Sequence, residues 1–197
     1  VSLDALACRP EIAAQIAARG GDYLLALKGN QNKAHAEVKR WFEANAFSLG
    51  GSLRPCLDAF DESHGRLVRR RVFACTELEP LAALQRWPGL TTVLAIENIR
   101  SINGSGKVTA EIRYYLSSSK LPSTQLATAI RSHWAIENGL HWVLDVGFKE
   151  DASRVRERTA ARNLALLRKF ALNFVRANTT LKVSLKGKRK SAAWDND

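Results

Sequence analysis

The stretch from Ile130 to Val146 constrains this chain more than any other. His133, Glu137, His141 and Asp145 recur at every fourth position within it. On an α-helix each step of four overshoots a full turn by roughly 40°, so the four side chains share one strip about 120° wide. The positions between them, Ile130, Trp134, Leu140, Val143 and Leu144, are bulky and apolar. A helix that is partly buried and carries a row of titratable groups is costly unless those groups are used. The pattern therefore predicts a long helix opened by Leu121-Pro122-Ser123, with Ser123 as N-cap and Gly147 at its end, and chemistry along one side of it.

The rest of the chain reads as α/β. Val1 to Asp4 has the texture of a strand ending in a carboxylate. Glu11 to Ala18 is a short helix stopped by Gly20-Gly21. Tyr23 to Leu27 is a continuous apolar run of the kind buried on both faces of a parallel sheet. Lys28 to Gln31 is a turn, and a helix follows with Val38, Trp41 and Phe42 on its apolar side. Strand, helix, strand, helix in this order is the α/β pattern.

From about Gly50 the texture becomes β-rich and basic. Ser63-His64-Gly65-Arg66 is a turn, and Thr91 to Ile99 and Val108 to Leu116 flank the hairpin signal Asn103-Gly104-Ser105-Gly106. A last helix is expected over Thr159 to Asn178, burying Leu164, Leu167, Ala171, Phe174 and Val175. Arg162, Lys169 and Arg176 line its other side. Lys186, Lys188, Arg189 and Lys190 mark a loosely ordered basic tail.

Charge narrows the partners. Against 19 acidic residues stand 30 Lys and Arg, a net charge of +11 over 197 residues. So basic a chain is expected to meet a polyanion, first of all nucleic acid. The three scattered cysteines show no Cys-x-x-Cys spacing, which fits a reducing cytoplasm better than a disulfide framework or a zinc site. No apolar run is long enough to span a bilayer. The absence of methionine, even at position 1, predicts a trimmed chain or a piece of a longer one.

Two carboxylates stand out, Asp4 at an expected strand end and Glu137 on the long helix. Acids on separate elements can hold Mg²⁺, which prefers oxygen ligands. The alternatives are that Asp4 is a cap or turn residue and that Glu137 faces solvent. His133 and His141 are expected to orient carboxylates rather than to bind metal, since imidazole suits Zn²⁺ better than Mg²⁺. Asp145, with Glu150 and Asp151, reads as a supporting or capping acid. Trp134 and Trp142 read as core, with base stacking as the alternative. Arg131 either contacts a phosphate or pairs with Asp145 or another helix acid. The stripe Arg162, Lys169, Arg176 and the tail residues Lys186, Lys188, Arg189 and Lys190 suit DNA backbone contact rather than base readout.

Longer motifs carry a resemblance. They are Asp4-Ala5-Leu6-Ala7-Cys8, Gly21-Asp22-Tyr23, Leu27 to Gln31, Ser63 to Arg66, and above all His133-Trp134-x-Ile136-Glu137-Asn138 through His141-Trp142-x-Leu144-Asp145-Val146-x-Phe148-x-Glu150-Asp151. Arg154-Val155-Arg156, Ala171-Leu172-Asn173 and Ala192 to Asp195 continue them. Together they resemble the bacterial insertion-sequence DDE transposases of the ISAs type, the H-repeat-associated protein family, over essentially the whole chain. The sequence departs from that pattern in Val68-Arg69-Arg70 after Leu67, in Ala161-Arg162-Asn163 and in Val143-Leu144, where a basic residue is usual.

The resemblance implies an RNase H-like core over 1–54 and 119–178, with its opening strands missing. An antiparallel β insertion is expected over 55–118 and a basic tail over 179–197. It implies that Asp4 is the second and Glu137 the third acid of a catalytic triad whose first acid precedes Val1. It implies two Mg²⁺ ions, double-stranded DNA at transposon ends and target as partner, and a homodimer on that DNA. The setting would be the bacterial cytoplasm, at the nucleoid. The reaction would be phosphodiester cleavage and strand transfer, with this chain alone inactive. The competing readings are a non-catalytic basic DNA-binding module and an inert remnant that folds poorly for want of its central strands.

Overall fold

Leu24, Leu25, Ala26 and Leu27 are all buried, and they form the strand on which the first part of the molecule is built. In the computed structural model, which describes residues 1–63, 66–102 and 106–194, the elements run as follows. Strand β1 (Ser2–Leu3) leads to helix α1 (Pro10–Ala18), strand β2 (Leu24–Leu27) and helix α2 (Asn32–Phe42). Four strands follow: β3 (Leu57–Ser63), β4 (Arg66–Cys75), β5 (Thr92–Ile102) and β6 (Val108–Ser117). Then come helices α3 (Ser123–Ile136), α4 (Trp142–Phe148), α5 (Arg158–Ala177) and α6 (Leu185–Trp194). The turns expected at His64-Gly65 and Asn103 to Ser105, and the last residues Asp195 to Asp197, lie outside the described residues.

The strands make one six-stranded sheet in the order β1-β2-β6-β5-β4-β3. β1 and β2 are parallel, and every other pairing is antiparallel. The molecule is thus mixed α/β, with the expected apolar strand and hairpin strands in place. Residues 57–117 supply four strands that continue the sheet through the β2–β6 pairing. Gly20, at φ +72°, closes α1 in a left-handed turn that a side chain would strain.

The chain divides into two units, Val1–Arg131 and Ser132–Asp197. In the first, Leu25, Leu27, Val38, Phe42, Phe73, Val93, Ala95, Tyr114 and Leu116 form the core on one side of the sheet. The Phe42 ring meets Trp41 edge-on at 4.9 Å and lies 5.9 Å from Tyr114. Buried Cys8 and Cys75 belong to this core, while Cys56 is exposed. Burial pushes the Cys8 thiol up to about 12 and the Cys75 thiol up to about 11, against an ordinary 9.0.

Two consequences follow from the buried thiols. A thiol reagent at about pH 8 should label Cys56 alone in the native protein, and all three cysteines only after denaturation. Folded Cys8 also keeps its proton over a range in which the unfolded chain loses it. Its contribution is complete below pH 9.0 and is lost as pH rises from there toward about 12. Urea midpoints that stay level across that alkaline range would contradict this burial.

Three sequence expectations are corrected in the helical part. The long helix is not uniform: α3 ends at Ile136, a π turn occupies Glu137–His141, and α4 resumes at Trp142. The wider turn shifts the phase of everything after it, so the strip drawn through His133, Glu137, His141 and Asp145 does not hold its line. The helix also opens one residue earlier than expected, since the Pro122 carbonyl accepts the first bonds, from Gln125 at 2.9 Å and Leu126 at 3.1 Å. It closes after Phe148, where Lys149 takes a left-handed φ of 52°.

The second correction concerns α5. Leu172 is its buried residue, whereas Leu167 and Phe174 of the expected stripe are exposed, with Leu166 and Phe170 beside them. Periodicity identifies an apolar side without saying which neighbour covers it. Trp142, read as core, is likewise exposed. Third, the tail contains helix α6, whose Gly187 N–H donates to Ser184 Oγ at 3.2 Å. A side-chain oxygen satisfying an early amide is the usual device for starting a helix. Glu157 serves α5 in the same way, accepting from the Thr159 N–H at 2.8 Å, and these backbone bonds hold its carboxyl below the ordinary value.

Candidate functional site

Asp4 follows directly on β1, in extended conformation, at the start of a short 3₁₀ turn formed by Ala5–Ala7. Its backbone carbonyl accepts from Ala7 N–H at 3.0 Å, while its carboxylate makes no capping bond to the turn. The carboxylate instead lies 3.5 Å from the Lys28 ammonium, and both side chains are half exposed. The parallel pairing explains the meeting, since β1 and β2 run together and end at the same edge of the sheet. Asn30 Nδ2 then donates to the Ala5 carbonyl at 2.6 Å, tying the two strand-end loops together. Sequence reasoning took Lys28 to Gln31 only as a turn. The signal it missed is that a residue just past β2 must neighbour one just past β1 if the two are parallel.

Glu137 opens the π turn of the second unit, and its side chain lies outside the described residues. π turns inside α-helices occur often at functional positions. His133 and Asp145 are half-buried and His141 is exposed. Asp4 belongs to the first unit and these groups to the second. Among the described residues no group of three His, Cys, Asp or Glu side chains is arranged to hold a metal ion. The half-exposed Asp4 side chain carries carboxylate oxygens, the donor type that Mg²⁺ takes.

The expected DNA-contacting cations fall into two groups. Arg162, Lys169, Lys186 and Lys190 are exposed. Arg176 donates to the Gly139 carbonyl within the π turn, Arg189 to the Gly147 carbonyl and Lys188 to the Asn178 carbonyl. Arg189 also stands 5.7 Å from the centre of the Phe148 ring. These three satisfy carbonyls at helix ends and at the π turn, which helical geometry leaves without partners. Arg131 pairs with Asp61 of β3 at 3.5 Å, rather than with a helix acid. Among the described residues no helix is long and apolar enough to cross a membrane.

The sequence profile described as the transposase DDE domain matches residues 1–174. The candidate transposase YncI of Escherichia coli O157:H7 is 36% identical over 197 residues, covering 98% of this chain and 50% of YncI. Protein YbfL of Escherichia coli K12 is 36% identical over 203 residues, covering 100% of this chain and 52% of YbfL. The H repeat-associated candidate transposase YhhI of the same strain is 35% identical over 203 residues, with 100% and 52% covered. The chain spans about half the length of these curated relatives. With most of its length matched by that profile, and with H-repeat-associated relatives along its whole extent, the chain belongs to the transposase DDE domain family.

Proposed function

We propose that this chain forms part of the catalytic domain of a DNA transposase, with Asp4 and Glu137 as two acids of an RNase H-like active site. The observation that carries the reading is the half-exposed Asp4 carboxylate at a strand tip, beside Lys28 and the Asn30 bridge. Ligand sites of open α/β sheets lie at the carboxyl ends of parallel strands, where Asp4 stands. Asp4 and Glu137 would hold Mg²⁺. The bound ion would neutralise phosphate charge and lower the pKa of the attacking water.

The chain's own residues set the stage for an in-line displacement at phosphorus. Water opens a phosphodiester at the insertion-sequence end, and the freed 3′-hydroxyl then attacks target DNA. Little covalent work falls to the protein in such transfers, so positioning and fixed charge account for most of the catalysis. Lys28 adds positive charge 3.5 Å from the Asp4 carboxylate. Arg131 is exposed, and its pairing with exposed Asp61 is of the weak kind that a phosphate can displace. Double-stranded DNA as partner, a homodimer on paired ends and a place at the bacterial nucleoid belong to the same proposal.

The test uses this chain within a protein extended to the length of its relatives, with end-labelled duplex carrying an insertion-sequence terminus. Nicking that requires Mg²⁺ and stops on chelation is expected. Tight DNA binding with no cleavage under any divalent ion would replace the catalytic reading with that of a basic DNA-binding module.

A further inference from the structure

The run Arg69-Arg70-Arg71 is a block of charge in the sequence, but the pleat of β4 divides it. Residues paired across strands share a side of the sheet, and neighbours along a strand alternate. Arg69 and Arg71 face one side, and each has an acid. Arg69 binds Asp58 at 2.7 Å and Arg71 binds Glu97 at 2.6 Å. Arg70 faces the other side, where it donates to the uncharged Asn98 at 3.0 Å.

The pairing register assigns Arg66, Arg100 and Arg113 to Arg70's side, with Asp61 and Glu111, while Asp58, Glu62 and Glu97 fall on the opposite one. Arg131 reaches this side through Asp61. Glu111 is shared, lying 2.7 Å from Arg113 and 3.9 Å from Arg100. Four guanidinium groups from these strands and a fifth from α3 therefore meet two carboxylates, an imbalance the other side does not have among the described residues.

From this segregation we propose that the side of the sheet bearing Arg66, Arg70, Arg100, Arg113 and Arg131 is a contact surface for the phosphate backbone of double-stranded DNA. The inference rests on the reading of the chain as a DNA-processing protein and adds a surface to it. Clustered like charges oppose one another in the free protein, and a polyanion relieves that repulsion. Burial is the main reason that the Arg70 guanidinium lies below the ordinary arginine value, and the charges of Arg131 and Arg100 add to it while Asp61 opposes them. Guanidinium forks suit phosphate oxygens. The patch crosses β4 to β6, two strand spacings or about 10 Å. Phosphates along one DNA strand follow at about 3.4 Å of axial rise, so several lie within reach.

The test is duplex binding by the 197-residue chain, with the affinity followed as salt rises. Each lost phosphate contact lowers the salt slope by about 0.9, so Arg70→Gln with Arg100→Gln should lower it by about two. The charge-keeping pair Arg70→Lys with Arg100→Lys should restore it, which separates lost charge from lost folding. Arg69→Gln, on the opposite side and already neutralised by Asp58, should leave the slope unchanged. A wild-type slope in the Gln pair would overturn the assigned surface while leaving DNA binding intact. Failure of the unaltered chain to bind duplex at low salt would overturn the DNA reading itself, and this surface with it.

Discussion

Asp4→Asn is expected to remove strand cleavage by the extended protein, by a factor of about 10² to 10³ or more, while leaving its melting temperature unchanged. The two halves of that expectation have different physical origins. The Asp4–Lys28 pair is half exposed on both partners, and exposed pairs contribute about 0–1 kcal/mol. Its loss is therefore nearly silent in stability. Asparagine keeps the size and one carbonyl oxygen but removes the anion that a divalent ion or a developing charge would feel. Glu137→Gln is expected to remove strand cleavage as well. Assays would follow nicking of end-labelled duplex with Mg²⁺, beside thermal melts of each variant. Cleavage that persists in Asp4→Asn would remove the strand tip from the active site. A large fall in melting temperature would instead make Asp4 a structural residue.

Arg71→Leu is expected to destabilise the first unit by about 3 kcal/mol. Glu97 is nearly buried on β5, and Arg71 meets its Oε2 at 2.6 Å through Nε and at 2.6 Å through Nη2. The guanidinium also lies 5.5 Å from the centre of the Phe73 ring, inside the core side of the sheet. Removing Arg71 leaves a carboxylate with little water and without its bound cation, which costs far more than the pair contributes. Replacing both partners, Arg71→Leu with Glu97→Leu, should recover most of the loss. Urea midpoints of the two single variants and the double would measure the coupling. Equal destabilisation in the double and in Arg71→Leu would show that packing, not the unpaired acid, sets the cost.

The contrast between these two ion pairs illustrates what could be read from the sequence. That Asp4 ends a strand follows from a local pattern, and so do the apolar run of β2, the hairpin strands β5 and β6, and the spans of α1, α2 and α5. Local patterns are legible because strand and helix periods are fixed by backbone geometry. The meeting of Asp4 with Lys28, 24 positions along the chain, depends on the parallel pairing of β1 with β2. No local period encodes that pairing. The motif residues of the helix were legible too, but the π turn at Glu137 was not, because one inserted residue changes phase without altering composition.

Burial was misread in one consistent way. Leu167, Phe174 and Trp142 have the side chains of core residues and stand exposed. Their period is right for a helix, but hydrophobicity names no partner, and coverage is decided by whatever packs on that side. The same holds for charge. Arg69, Arg70 and Arg71 are adjacent letters, yet two are neutralised and one joins the unbalanced side.

By itself the sequence determined the local elements, the excess of positive charge and the family motifs, because each is written in short-range order. Tertiary structure alone decided which strand tips meet, which arginines are matched by acids and which apolar sides are covered. Those outcomes depend on strand register and packing between residues distant along the chain, and the free energy of such contacts is set only once the chain has closed on itself.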